Sequence, residues 1–129
     1  MSGQPHVEQI INNATFNATV TGGTITNDKA LWSVVAQVGA ITGTPVLKIT
    51  VNVSVDGSTW YPAYVDATGL TAANAKERIV FGGAGSIVPA GIAVQPPIVE
   101  PFIQVVATLT STTSFANTSV WLIGMGGYD

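Results

Sequence analysis

The stretch Val46-Leu47-Lys48-Ile49-Thr50-Val51-Asn52-Val53-Ser54-Val55 decides the fold, because its apolar residues occupy every second position and Lys48, Thr50, Asn52 and Ser54 fill the gaps. Side chains at period two project from opposite faces of an extended chain, so the segment predicts a strand with one face in a core and the other in water. Asp56-Gly57-Ser58-Thr59 follows with residues suited to a tight turn, and Trp60 to Tyr64 returns with aromatics that fit a half-buried pleat. A hairpin over 46–64 is the expectation.

Working outward, Phe102 to Thr110 reads as a second long strand with Ile103, Val105, Ala107 and Leu109 on one face. Ser111 to Ser114 reads as a turn, and Asn117 to Gly124 returns with apolar residues on both faces, as a central or twice-covered strand does. This predicts a second hairpin over 102–124. Upstream, Thr15 to Thr21 and Leu31 to Val38 alternate, with Phe16, Ala18 and Val20, then Trp32, Val34, Ala36 and Val38, on one side. Glu77 to Phe81 and Ile92 to Val94 add shorter strands, with bends at Gly82 to Gly85 and Val88 to Gly91. Only Leu70 to Lys76 has a helical look, for a turn or two. Seven or eight short strands and no long helical pattern define an all-β chain, an antiparallel β-sandwich or jelly-roll-like barrel. The expected division is an N-terminal arm over 1–14 and one sandwich domain over 15–129.

Composition adds a constraint on surroundings. Only 9% of the 129 residues are charged, against roughly 25% in an average soluble protein, while 47% are hydrophobic and the mean hydropathy is +0.43. Thr, Ser, Asn and backbone must carry the contacts with water, and much of the exterior is expected to lie against other subunits. There are no cysteines, which excludes disulfides and thiolate metal sites. No stretch reaches the ~18 apolar residues of a transmembrane helix, and Met1 to Val7 has neither the basic nor the apolar region of a secretory signal. Lys29, Lys48, Lys76 and Arg78 are too few and too dispersed to neutralise a run of phosphates, so neither nucleic acid nor membrane is an expected partner.

Catalysis needs a base beside a nucleophile, and the single histidine, His6, lies near the N-terminus with no cysteine anywhere in the chain. Glu8, Asp28, Asp56, Asp66, Glu77, Glu100 and Asp129 are scattered, which reads as turn formation and solubility, not as a carboxylate pair. Asp56 in particular is expected to accept bonds from the backbone of its own turn. No metal-ligand spacing occurs, and Gly82 to Gly85 lacks the lysine of a P-loop and the third glycine of a dinucleotide fingerprint, so no metal and no cofactor is expected. Sequons at Asn13, Asn17, Asn52 and Asn117 read as chance in an Asn- and Thr-rich chain. Trp60, Tyr61 and Tyr64 admit two readings. They could form a platform that stacks on sugar rings, or Trp60 and Trp32 could fill the core while Tyr61 and Tyr64 line a subunit contact. The second is preferred because aromatics are enriched in both of those settings.

Thr42-Gly43-Thr44-Pro45-Val46-Leu47-Lys48-Ile49-Thr50-Val51 with Ser54-Val55-Asp56-Gly57-Ser58-Thr59-Trp60, and later Pro101-Phe102-Ile103-Gln104-Val105-Val106-Ala107-Thr108-Leu109-Thr110, resemble patterns in tailed-phage head decoration (cement) proteins and related β-sandwich virion components. The resemblance spans about Leu31 to Gly124. It implies a β-sandwich, often a homotrimer, on the outer surface of the capsid, bridging major capsid protein subunits without enzymatic activity. Outside it, Val7, Ile10 and Ile11 form an apolar cluster for which docking on the capsid or a neighbouring subunit is the expectation, with an edge strand of the same sandwich as the alternative. Rival roles are a tail or head-fibre component and a carbohydrate-binding adhesion module.

Overall fold

The period-two run is a strand, and Leu47, Ile49 and Val51 are fully buried along it. The computed structural model describes residues 5–82, 92–110 and 113–126. The described residues form β1 (His6–Phe16), β2 (Val20–Thr21), β3 (Ile25–Thr26), β4 (Leu31–Gln37), β5 (Ile41–Thr42), β6 (Leu47–Ser54), β7 (Tyr61–Val65), β8 (Lys76–Phe81), β9 (Ile92–Gln95), β10 (Phe102–Leu109) and β11 (Ser114–Met125). They make two sheets. One is six-stranded, in the order β1-β11-β4-β8-β9 with β5 on β11; the other is five-stranded, in the order β2-β10-β6-β7 with β3 on β10. The sheets share no strand and do not close on each other, so the fold is a β-sandwich and not a barrel. All pairs are antiparallel except β8 with β9.

The core lies between the inner faces. Trp32, Phe16, Phe81, Phe115, Ile79 and Ile103 are among its largest fully buried side chains. Trp32 is admitted by a gap in its neighbour: its register partner is Gly124, where a Cβ would come within 2.7 Å of the indole ring. The indole N–H then donates to Asn27 Oδ1 at 2.6 Å. Asn27 in turn donates to the carbonyls of Ile98 and Glu100, so one amide ties the turn before β4 to the segment after β9.

The hairpin over 46–64 is present as β6 and β7. Val55, expected inward, is 70% exposed, because the strand ends at Ser54. Ser54 is buried instead and its Oγ accepts from the backbone N–H of Asp56 and Gly57, which starts the turn one residue early. Asp56 caps that turn as expected, accepting at Oδ1 from Ser58 and Thr59 N–H at 2.8 Å each.

The second hairpin is not one. β10 pairs with β6, β2 and β3, whereas β11 pairs with β1, β4 and β5, so the chain crosses from one sheet to the other between them. Both edges of each strand are already occupied by other partners, which leaves β10 and β11 none for each other. Part of the intervening turn, 111–112, lies outside the described residues. Thr15 to Thr21 likewise divides: Phe16 ends β1 in one sheet, Val20 opens β2 in the other, and Ala18 is exposed in the crossing. Leu70 to Lys76 is not helical. Leu70 exchanges two backbone hydrogen bonds with Leu47, and Asn74 takes a left-handed backbone (φ 58°) while donating to the Gly39 carbonyl. Pairing with distant strands outweighs a weak local preference for helix. Of the bends expected at Gly82 to Gly85 and Val88 to Gly91, Gly82 is described, with φ 89°, and the remaining residues lie outside the described ones. The strand count exceeds the expected seven or eight because β2, β3 and β5 are two-residue strands.

Candidate functional site

Alternation puts Trp32, Val34 and Ala36 of β4 in the core, so Leu31, Ser33 and Val35 face away from it. Register then extends this outer face across the sheet. Val7, Ile123, Ser33, Val80 and Val94 lie side by side on β1, β11, β4, β8 and β9, and Gln9, Trp121, Val35 and Arg78 form the next row. Leu31 and Met125 pair beyond Ser33. Val7 is 59% exposed, Met125 48% and Leu31 42%, while the other apolar members are half-buried by one another or, like Val94, exposed. A shallow depression of about 370 Å³ opens at Ser33, walled by Leu31, Val35, Val80, Ile123 and Met125. Arg78 borders it, Lys76 follows on the same face of β8, and no carboxylate stands in either row. The outer face of the five-stranded sheet is more polar: its β6–β10 register pairs are Lys48 and Thr108, Thr50 and Val106, and Asn52 and Gln104, with exposed Val65 opposite Thr50 on β7.

This outer apolar face is what the two-sided apolar pattern of Asn117 to Gly124 signals, since Val120 and Leu122 face the core while Trp121 and Ile123 face outward. The contributions of Val35, Arg78 and Val80 are not visible until register places them beside β11.

The residues expected to dock or stack separate. His6–Phe16 is an edge strand on β11, and of the apolar cluster only Val7 points outward; Ile10 packs against the core and Ile11 is 6% exposed. Two of the three are therefore occupied within the sandwich. Trp32 fills the core, but Trp60 is only half-buried. Tyr64 turns inward, edge-on to Phe81 with ring centroids 6.4 Å apart. Tyr61 is 57% exposed beside a groove of about 210 Å³ whose walls include Pro62, Pro96, Gln95 and Glu100. The three aromatics form no common platform.

A carboxyl pair escaped the reading of the sequence. Asp66, just after β7, is 4% exposed and accepts from Ile49 N–H at Oδ2 and from the Tyr64 hydroxyl at Oδ1, both at 2.8 Å. Glu77 lies on the core-facing side of β8 with Ile79 and Phe81, and its Oε2 is buried without a hydrogen-bond partner among the described residues. Burial, then the bond to Asp66 and its charge, push the Glu77 carboxyl up to about 9. Burial and the same neighbour raise the Tyr64 phenol well above its ordinary value. Elsewhere, a polar pocket of about 450 Å³ is lined by Asn13, Asn74 and Asn117 among others. All three have positive φ (44°, 58° and 47°), which gives those asparagines a backbone role. No group of three or more His, Asp or Glu able to hold a metal exists among the described residues.

No protein-family model matches the chain, and no curated protein matches it significantly. Among solved structures, a chain of the T13 IBDV viral particle shares the fold with a TM-score of 0.50 at 14% identity, covering 96% of this chain. A chain of infectious bursal disease virus, Gx strain, aligns over 99% of this chain (TM-score 0.45, 16% identity), and a CBM4 structure over 96% (0.45, 11%). This chain spans about a third of each viral chain, 32% and 34%, and 71% of the CBM4 chain. At such identities the likeness is one of fold: the class defined is the all-β sandwich.

Proposed function

We propose that this chain is a non-enzymatic structural virion protein that decorates the outside of a phage head, seating the outer face of its six-stranded sheet on major capsid subunits. The observation that carries this is the contrast between the two outer faces, one apolar over five adjacent strands and the other mainly polar, with Val106 and Val65 as isolated apolar members. Five strands about 4.8 Å apart and some seven residues long present a face roughly 24 Å on a side. Covered by an equal area of partner, it reaches about the 1,000 Å² expected of a specific interface. With Arg78 at the depression and no acid in the rows around it, the partner surface that fits is apolar with a carboxylate opposite Arg78. The resemblance of 42–60 and 101–110 to decoration proteins and the scarcity of charge point the same way. Seated across subunit boundaries, the protein binds the assembled lattice and not its separated parts, and so stabilises the shell by mass action. A homotrimer at three-fold positions is the arrangement this reading favours.

The test uses heads stripped of this protein and re-decorated with it. Wild type and Thr108→Glu, altered on the polar face, should bind and raise survival on heating, whereas Val35→Glu should not. Equal binding by Val35→Glu, or equal survival of bare and decorated heads, overturns the proposal. Location on tails, or rings of six, points to a tail component instead.

Exposed Tyr61 over its groove, with Gln95 and Glu100 beside it, supports a second reading as a carbohydrate-binding module. A glycan screen decides it, with retained binding in Tyr61→Ala counting against a role for the groove.

A further inference from the structure

The open side of the sandwich between β7 and β8 is closed by an unusual set of groups. β7 is the edge of the five-stranded sheet. Just past its end, Asp66 N–H donates to the Ile49 carbonyl and the Asp66 carboxylate accepts from Ile49 N–H, so the side chain takes the place of a backbone acceptor along β6. Its other oxygen holds the Tyr64 hydroxyl. Across from it in the six-stranded sheet, where the Tyr64 ring meets Phe81, Glu77 lies on the core-facing side of β8 with its Oε2 buried and without a hydrogen-bond partner among the described residues. Two carboxylates cannot hydrogen-bond to each other unless one of them carries a proton. Both Asp66 oxygens already accept a hydrogen bond while Glu77 Oε2 has no donor, so of the two carboxyls it is Glu77 that is placed to carry the proton.

We propose that the Glu77–Asp66 pair shares one proton across the two sheets, making the sandwich a proton-dependent clamp that loosens along β7 and β8 as the proton is lost. This does not depend on the role proposed above.

The surroundings offer the pair no other compensation. Asp66 and Tyr64 are the titratable groups on the β7 side. On β8, Lys76 and Arg78 flank Glu77 in sequence but belong to the outer face. On β4, the register partner of Glu77 is Ala36. Beyond burial, Asp66 is the group that raises the Glu77 carboxyl. An unfolded chain releases the Glu77 proton near the ordinary value of 4.5, whereas the folded chain holds it until about 9. Between those values the folded state binds one more proton than the unfolded state, so stability from this group is complete below 4.5 and drains away as pH rises toward 9.

The experiment is urea unfolding of the full chain from pH 5 to pH 9, comparing wild type with Glu77→Gln. Glutamine keeps a donor toward Asp66 and cannot titrate. For wild type the unfolding constant should rise by roughly tenfold or more over this range, and for Glu77→Gln the rise should be largely absent. Parallel pH profiles overturn the proposal. A carboxyl-carbon NMR titration of the wild-type protein guards against a variant that fails to fold. One of the three glutamates should remain protonated at pH 7, and three ordinary titrations would refute the shared proton.

Discussion

Val34 and Val35 are neighbours in β4 that face opposite sides of one sheet, and aspartate placed at each separates the fold from the function. Val34 is completely buried, so Val34→Asp forfeits about 1.5–3 kcal/mol of apolar burial. It also leaves a carboxyl without a partner between two sheets, which takes the total to about 4–5 kcal/mol or more. That approaches the whole stability of about 5–15 kcal/mol typical of a domain. Val35 looks outward and is half-buried only by its neighbours on the face. Val35→Asp should therefore cost the isolated chain about 1 kcal/mol or less. Urea unfolding followed by tryptophan fluorescence reads both, and pelleting with stripped heads reads the second function. Val34→Asp should unfold at low urea or fail to fold, and Val35→Asp should fold but not pellet. Equal losses of stability, or the reverse order, would show that the register of β4 is wrong and with it the outer face.

Removing the Asn27 side chain should cost about 2–4 kcal/mol, since Trp32 N–H and two carbonyls lose their partner. In a Trp32→Phe background the same change should cost less, as a double-mutant cycle will measure. Asn117→Val should destabilise by about 1–2 kcal/mol because a β-branched residue strains at φ 47°, while Asn117→Gly should be nearly neutral in the same melt. The Asp56 carboxyl is held down at about 2 by the N–H groups of Thr59 and Ser58 and the Ser54 hydroxyl. Its support of the turn is present above the ordinary 3.8 and fades as pH falls toward 2, so the difference between wild type and Asp56→Ala should close over that interval in an acid titration.

Strand identity was legible wherever one face meets the core and the other does not. β4, β6 and β10 carry that alternation in their own residues, and each is close to its expected bounds. Pairing was not legible, because it depends on residues far away. Nothing within 102–124 says that β10 is already flanked on both sides, so adjacency in sequence suggested a hairpin that the fold replaces with a crossing. The arm was misjudged for a related reason. Register shifts between Gln9 and Phe16 break the alternation of β1, so Ile10 and Ile11 no longer read as a core-facing pair. The outer face was half legible, in the two-sided apolar pattern of β11. Glu77 had a signal too, since Ile79 and Phe81 set the inward parity of β8 and two steps back is Glu77. Asp66 had none, lying beyond the strand whose register carries it inward.

Two interior strands, β10 between β6 and β2, and β11 between β4 and β1, follow all of their partners in sequence. Until residues 102–125 have left the ribosome, β1, β4 and β6 each lack a neighbour and offer bare backbone to any other chain nearby. Folding of the sandwich must wait for these residues, and chains interrupted before them are the ones that will aggregate. Low temperature and slow expression should therefore raise the yield of folded protein.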